Sequence, residues 1–266
     1  VRLCWNGAFF VRGWLTIRRT FRAFCAEQGK TALLAQWDIE RNLPLTPDDV
    51  TFGSHKRVWW TCPSGHSWQA MVYTRSELAS LYEACRRHQL RLYIDGARLG
   101  YGLMSDACDY DLPFLARHCD VFYIGGTKVG AMFGEAVVFT GISAPKYFFT
   151  TVKRHGALLA KGRMLGIQFD TLFTDGLYLR LSRHAIAMAA RLKEVFARHA
   201  IPMACLSPTN QQFVILSPSQ YDVLIAQVAF EIWERHADGT LTCRFVTSWA
   251  TTDADIDHLD RCLAAL

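Results

Sequence analysis

The run VFYIGGTKVGAMFGEAVVF, residues 121–139, is apolar and glycine-rich, and Lys128 sits at its centre. A buried ammonium is costly unless it is paired or neutralised, so this lysine either reaches solvent or takes part in chemistry. A second reactive group stands upstream, where LRLYID ends on Asp95 and GARLGYG follows. An amine and a carboxylate brought together suit imine chemistry: the amine condenses with an aldehyde, and the carboxylate keeps a heteroaromatic nitrogen protonated. Singly, each residue has a simpler reading, Asp95 as a turn or cap residue and Lys128 as a solvated loop lysine. The pair is the stronger observation, because both stand at strand ends and Gly125, Gly126, Thr127 and Gly130 let backbone approach a bound molecule closely.

The elements that must position the pair follow from periodicity. SELASLYEACRRH predicts a helix with Ser76 as N-cap and Leu78, Leu81, Tyr82 and Cys85 at helical spacing, and LRLYID predicts a buried strand. A helix in LPFLARHC, a strand in DVFYIGG and another in EAVVFTG continue the alternation, which predicts an α/β unit with a mostly parallel layered sheet. Open sheets of this kind bind ligands just beyond the carboxyl ends of their strands, where Asp95 falls. Pyridoxal phosphate needs this combination, an amine for the Schiff base and a carboxylate for the pyridine nitrogen. DGLYLRLSRHAIAMAARLKEVFARHA then reads as a long amphipathic helix. MACLS, QQFVILS and LTCRFVTS read as strands of a smaller α+β portion, closed by a helix in DADIDHLDRCLAAL.

Before residue 76 the composition differs. LLAQWDIERNLPLTPDDVTFGSHKRVWWTCPSGHSWQA is rich in Trp, Pro, Asp and turn signals, and runs such as RVWWTC suit a small β-rich module. At 266 residues and 51% hydrophobic content the chain can bury a sizeable core, in one large or two modest domains. The formal charge of +5 is mild and scattered, which permits a nucleic-acid partner without implying one. Nine cysteines with no CxxC pair read as reduced thiols and predict a cytoplasmic setting. In the opening VRLCWNGAFFVRGWLTIRR, Arg2, Asn6 and Arg12 interrupt the apolar pieces, so no membrane span or export signal is expected, and residues 1–23 carry no assignment.

YIDGARLGYGL, FYIGGTKVGAMFGEAVVF, LLAKGRMLGIQF, SPTNQQF and RFVTSWATT occur in one order, and through them residues 76–266 resemble the low-specificity L-threonine aldolases of the aromatic amino acid β-eliminating lyase group. The resemblance implies a pyridoxal-phosphate-dependent, aspartate-aminotransferase-like α/β fold. Residues 76–150 would form part of the cofactor-binding large domain, and 151–266 the small domain with its connecting helices. It also implies a homodimer or homotetramer that cleaves β-hydroxy-α-amino acids such as threonine to glycine and an aldehyde. Carried over position by position, Lys128 is the catalytic Schiff-base lysine and Asp95 the partner of the pyridine nitrogen. Arg98 matches an arginine beside the cofactor and the substrate carboxylate, Arg244 the main carboxylate-binding arginine, and Arg163 a phosphate contact reaching across the dimer. No base for the hydroxyl proton is identified.

Residues 24–75, ending in VYTR, resemble instead a bacterial zinc-ribbon (treble-clef) family. A structural zinc takes four ligands. Cys62 and His66 supply one pair, the chain turns aldolase-like where the second pair belongs, and Cys85 is a poor substitute on the buried face of a helix. No metal site is assigned. In the threonine aldolases a longer segment precedes the position of Ser76 and supplies a phosphate-cradling loop and a stacking histidine, so the expectation is an aldolase-like enzyme impaired by the exchange. Two alternatives stay open. One is a zinc-ribbon module for nucleic acid or protein, with Trp59, Trp60 and Trp68 stacking on bases beside Lys56 and Arg57; the other is a non-functional fusion.

Overall fold

The structure, a computed structural model, describes residues 20–27, 34–35, 37–49, 59–61, 67–69, 74–141, 144–205 and 207–266. The chain divides into two compact units, Val1–Val72 and Tyr73–Leu266.

In the first unit α1 spans Phe21–Glu27 and α2 Ile39–Asn42, and β1 (Trp59–Thr61) pairs antiparallel with β2 (Ser67–Gln69), Trp60 opposite Trp68. The Asp38 carboxylate accepts from the Arg41 amide and so caps α2. Asn42, buried at the end of that helix, grips β1 from both sides of its amide. Its Nδ2 donates to the Trp59 carbonyl at 2.7 Å and its Oδ1 accepts from the Trp59 N–H at 2.6 Å. The strand expected in RVWWTC is therefore real over three residues. Cys62, His66, Lys56 and Arg57 lie outside the described residues.

The second unit opens with α3 (Arg75–Arg87). Its N-cap is Thr74 rather than the expected Ser76. Glu77, the third residue of the helix, closes a capping box with Thr74 by accepting from the Thr74 amide. Leu78 is fully buried, whereas Leu81, Tyr82 and Cys85 are half-buried. The Cys85 thiol is pushed up by burial and by the charge of Asp120, opposite to what a zinc thiolate requires.

Next come β3 (Tyr93–Ile94), α4 (Leu99–Leu103), α5 (Leu112–Arg117), β4 (Val121–Gly125) and β5 (Glu135–Phe139), with sheet order β3-β4-β5. The expectation of a mostly parallel sheet is corrected here, because β3 and β4 are parallel but β4 and β5 are antiparallel. The physical reason is the short link at residues 126–134. A parallel return needs a crossover of a dozen or more residues, generally a helix, and a tight loop allows only a hairpin. LRLYID is likewise not a buried strand. Only Tyr93 and Ile94 pair, and at this sheet edge Tyr93 stays 53% exposed.

Helices α6 (Phe148–Arg154) and α7 (Arg163–Phe173) lead to the long α8 (Leu177–Arg198). Beyond it β6 (Met203–Cys205), β7 (Gln211–Leu216), α9 (Pro218–Ile225), β8 (Glu231–Arg235), β9 (Leu241–Val246) and α10 (Asp253–Ala264) build an antiparallel sheet of order β6-β7-β9-β8. One face of this sheet forms the core. Val214, Leu216, Leu241, Cys243 and Phe245 meet Met188, Leu192, Val195 and Phe196 of α8 and Ile256, Leu259 and Leu263 of α10. Each large apolar side chain so buried contributes about 1.5–3 kcal/mol. Register puts Phe213 and Arg244 on the opposite face. No helix among the described residues is long and apolar enough to cross a membrane.

Candidate active site

Asp95 follows β3 directly, at the carboxyl end of the parallel pair. Its carboxylate accepts from the phenol of Tyr123 on β4 and from the Ala97 amide at 3.0 Å. Burial and the carboxylate beside it push the Tyr123 phenol up, so it stays a neutral donor. The loop after Asp95 lies against the end of β4, where the Gly125 amide donates to the Gly96 carbonyl at 2.9 Å. A β-carbon at Gly125 would come within 2.5 Å of the Ala97 carbonyl oxygen, so the two strand ends touch only because Gly125 has none.

Lys128 stands in a 3-10 turn, Thr127–Val129. Gly130 ends that turn at φ +100°, a conformation that glycine adopts without penalty. Tyr101 of α4, almost wholly buried, donates its hydroxyl to the Lys128 carbonyl and so pins the backbone that carries the amine. The side chain is half-buried. Burial first, and then the charge of Arg98, press the Lys128 ammonium below the usual lysine range, while Glu135 and Asp95 oppose them. An amine that loses its proton more easily is a better nucleophile toward an aldehyde.

Two guanidinium groups complete the cluster. Arg244 on β9 donates to Gln211 Oε1 at 2.9 Å, pairs with Glu231 on the neighbouring strand β8, and lies over the Trp233 ring at 5.1 Å from its centroid. Arg98 is the residue before α4, half-buried, and its charge is disfavoured by burial and by Arg244. The Nε atoms of both arginines are buried without a hydrogen-bond partner. A buried donor left unmade costs about 1–3 kcal/mol. Two such donors on neighbouring cations mark a place for an anion, and the planar fork of arginine suits a carboxylate.

Of the residues expected from sequence, the structure gathers Lys128, Asp95, Arg98 and Arg244. Arg163 is not among them, being exposed at the first position of α7. Several residues of the site were not anticipated. Glu135, opposite Gly125 in the β4–β5 ladder, acts on Lys128, and its own carboxyl is pushed up by burial and by Asp95. Its signal was an acidic residue opening an otherwise apolar strand. Tyr101, Tyr123 and Gln211 carry no local signal, because their partners are distant in sequence. The donor set fits pyridoxal phosphate: an amine eased toward neutrality, a carboxylate oriented by a phenol, and unsatisfied guanidinium donors for a carboxylate on the bound amino acid.

Residues 33–87 match a family described as a probable treble clef zinc finger domain, a match that runs through α3 of the second unit. The low specificity L-threonine aldolase of Pseudomonas sp. strain NCIMB 10558 is 30% identical over 196 residues, covering 71% of this chain and 54% of that protein. The low specificity L-threonine aldolase of Pseudomonas aeruginosa is 30% identical over 247 residues, covering 87% of this chain and 66% of that protein. Among solved structures, Leishmania major threonine aldolase superposes with a TM-score of 0.70 at 38% identity, over 73% of this chain and 56% of its own. Sphingomonas wittichii serine palmitoyltransferase, at 15% identity and a TM-score of 0.50 over 71% of this chain and 50% of its own, shares the fold alone. The chain is thus related to threonine aldolases and has the aspartate-aminotransferase-like fold, while spanning between half and two thirds of the length of the curated relatives it matches.

Proposed function

We propose that the chain is a pyridoxal-phosphate-dependent carbon–carbon lyase that cleaves β-hydroxy-α-amino acids, threonine or allo-threonine among them, to glycine and an aldehyde. The observation that carries the reading is the convergence of the Lys128 amine, Asp95 and two guanidinium groups with orphaned Nε donors. Its relatives' names point the same way.

Pyridoxal phosphate, when bound, supplies the electron sink for the pair left behind when the Cα–Cβ bond breaks. The remaining work belongs to the chain. Arg244 and Arg98 hold the substrate carboxylate, which fixes how the amino acid is presented. Asp95, kept in place by Tyr123 and the Ala97 amide, holds the proton on the pyridine nitrogen. Lys128 would anchor the cofactor through its amine, and that amine is able to carry a proton within the site. Glu231 occupies Arg244 until a ligand carboxylate takes its share of the guanidinium.

Arg163 we assign to a phosphate contact in a neighbouring protomer of a homodimer or homotetramer. Its exposure supports this, as do exposed Met164 and Ile167 on the same helix. Free thiols at Cys85, Cys108, Cys119, Cys205, Cys243 and Cys262 support a reducing, cytoplasmic setting. Impaired turnover belongs to the same proposal, since residues 33–87 match a probable treble clef zinc finger domain.

The test is to add pyridoxal phosphate, reduce with borohydride and map the modified peptide. Cofactor fixed on Lys128, with glycine released from threonine, is expected. Cofactor on Lys153 or Lys161 would sink the assignment. Grafting an aldolase segment before Ser76 should raise turnover, and no change would remove the impairment.

A further inference from the structure

Tyr178, on the first turn of α8, is fully buried, and its hydroxyl makes two bonds that the chemistry above does not use. It accepts from the Gly100 amide at 3.1 Å and donates to the Gly125 carbonyl at 3.2 Å. Gly100 belongs to α4, the helix that the Asp95 loop enters, and Gly125 ends the strand from which the Lys128 turn departs. One oxygen therefore joins the limb of the carboxylate to the limb of the amine. The approach is close. A β-carbon on Gly100 would collide with Ser182 Oγ and stand 2.8 Å from Tyr178 Cε1. The phenol has burial on every side and its pKa is pushed up to about 12, so it remains an O–H. Further along, α8 is fixed by Met188, Leu192, Val195 and Phe196 in the core of the four-stranded sheet, which also carries Arg244.

We propose that Tyr178 is a positioning residue for the Lys128 amine: it sets the spacing between the Asp95 limb and the Lys128 limb and ties both to α8. This rests on reading Lys128 as the reactive amine. The charges that face Lys128 are Arg98, Glu135, Asp95 and Arg244, and their distances from it follow from where the two limbs are held. Removing the hydroxyl relaxes that spacing. Lys128 then behaves more like a solvated lysine.

The experiment uses the full chain without cofactor. Lysines are acylated competitively across a pH series and quantified peptide by peptide, with exposed Lys153 as the internal reference. In the unaltered chain Lys128 is expected to lose its proton below the usual lysine range. In Tyr178→Phe the Lys128 profile should move to higher pH, and labelling below the midpoint should fall about tenfold if the profile moves by one full step on the pH scale. A Lys128 profile that stays in place while thermal stability falls would mean that the hydroxyl only satisfies buried backbone, and the proposal would be overturned. Should Tyr178→Phe fail to fold, the double variant Gly100→Ala, Ser182→Ala keeps the hydroxyl and pushes the ring aside. The same shift supports the proposal, and an unmoved profile defeats it. Borohydride trapping is read separately. A shifted profile with no cofactor on Lys128 sinks the functional reading and leaves the brace standing, whereas normal trapping with an unmoved profile does the reverse.

Discussion

Lys128 and Arg244 reach one site by opposite means. Lys128 sits in a turn between glycines, and single hydroxyl groups hold the backbone around it, Tyr101 on its own carbonyl and Tyr178 on that of Gly125. Arg244 lies within a strand paired on both sides, so its place is set by ladder register and by the apolar core on the other face of the sheet. The contrast teaches where each half is vulnerable. Removing one oxygen disturbs the amine, whereas moving the strand that carries the guanidinium takes a packing defect large enough to loosen the sheet.

The largest effect should come from Lys128→Ala. On the proposed assignment it removes the amine that fixes the cofactor, so borohydride-trapped cofactor and glycine release from threonine should both vanish while the circular dichroism spectrum stays. Trapping that persisted at another lysine would place the amine elsewhere.

Phe196→Ala attacks the other half. Phe196 is fully buried and meets Phe245 edge-on at 5.0 Å, so its loss should cost about 3–5 kcal/mol in urea unfolding. Carboxylate binding should fall with the folded fraction. A variant that lost carboxylate affinity at full stability would show that the core tunes Arg244 directly.

Asp120 gives the comparison a pH axis. Its side chain is fully buried, which alone would push the carboxyl up. The Leu92 amide at 2.8 Å, Arg91 at 3.0 Å and Arg86 outweigh burial and hold it below the usual carboxylate range. A carboxyl depressed in the folded state adds stability above its unfolded pKa and loses it as pH falls through the folded value. Asp120→Asn should flatten that acid slope of the urea midpoint and cost about 1–3 kcal/mol at neutral pH. An unchanged slope would mean that Asp120 does not report on the entry to β3.

The smallest effect is expected from Glu231→Gln. The Glu231 side chain is 67% exposed, and pairs of that kind contribute about 0.2–1 kcal/mol. Relieved of this competitor, Arg244 should bind glycine to the cofactor-loaded chain slightly more tightly by calorimetry. Weaker binding would show that Glu231 orients Arg244 rather than competing for it.

Legibility in the sequence follows the same division. The long amphipathic α8 and the strands β7 and β9 were readable because their apolar periods are set locally. Asp95 and Lys128 were readable because a reactive residue beside glycines at a strand end is uncommon in a loop chosen only for solubility. The antiparallel return of β5 was not, since the hydrophobic run is the same for either direction and only the link at residues 126–134 decides. β8 escaped because Glu231–Arg235 is an edge strand with charged ends and little apolar alternation. Thr74 took the cap from Ser76 because a capping box depends on the glutamate three positions after the cap, not on the hydroxyl type. Tyr178 and Glu135 owe their roles to partners across the fold, and no local window contains those.

The hairpin that carries Lys128 also sets an order of events in time. β4 and β5 meet across a short loop, whereas the Tyr178 hydroxyl must find Gly125 and Gly100 across sequence separations of 53 and 78. Closing a longer loop costs more chain entropy, and contacts distant in sequence slow folding. On this account the turn around Lys128 closes while α8 is still undocked, and the refolding chain passes through a stage in which that residue is an ordinary, fully charged lysine. Acylation pulsed during refolding should label Lys128 and Lys153 alike at early times and separate them only as α8 arrives. Separation from the first time point would reverse the order. In the expected order the chain gains its reactive amine last, when the protein around it is already closed.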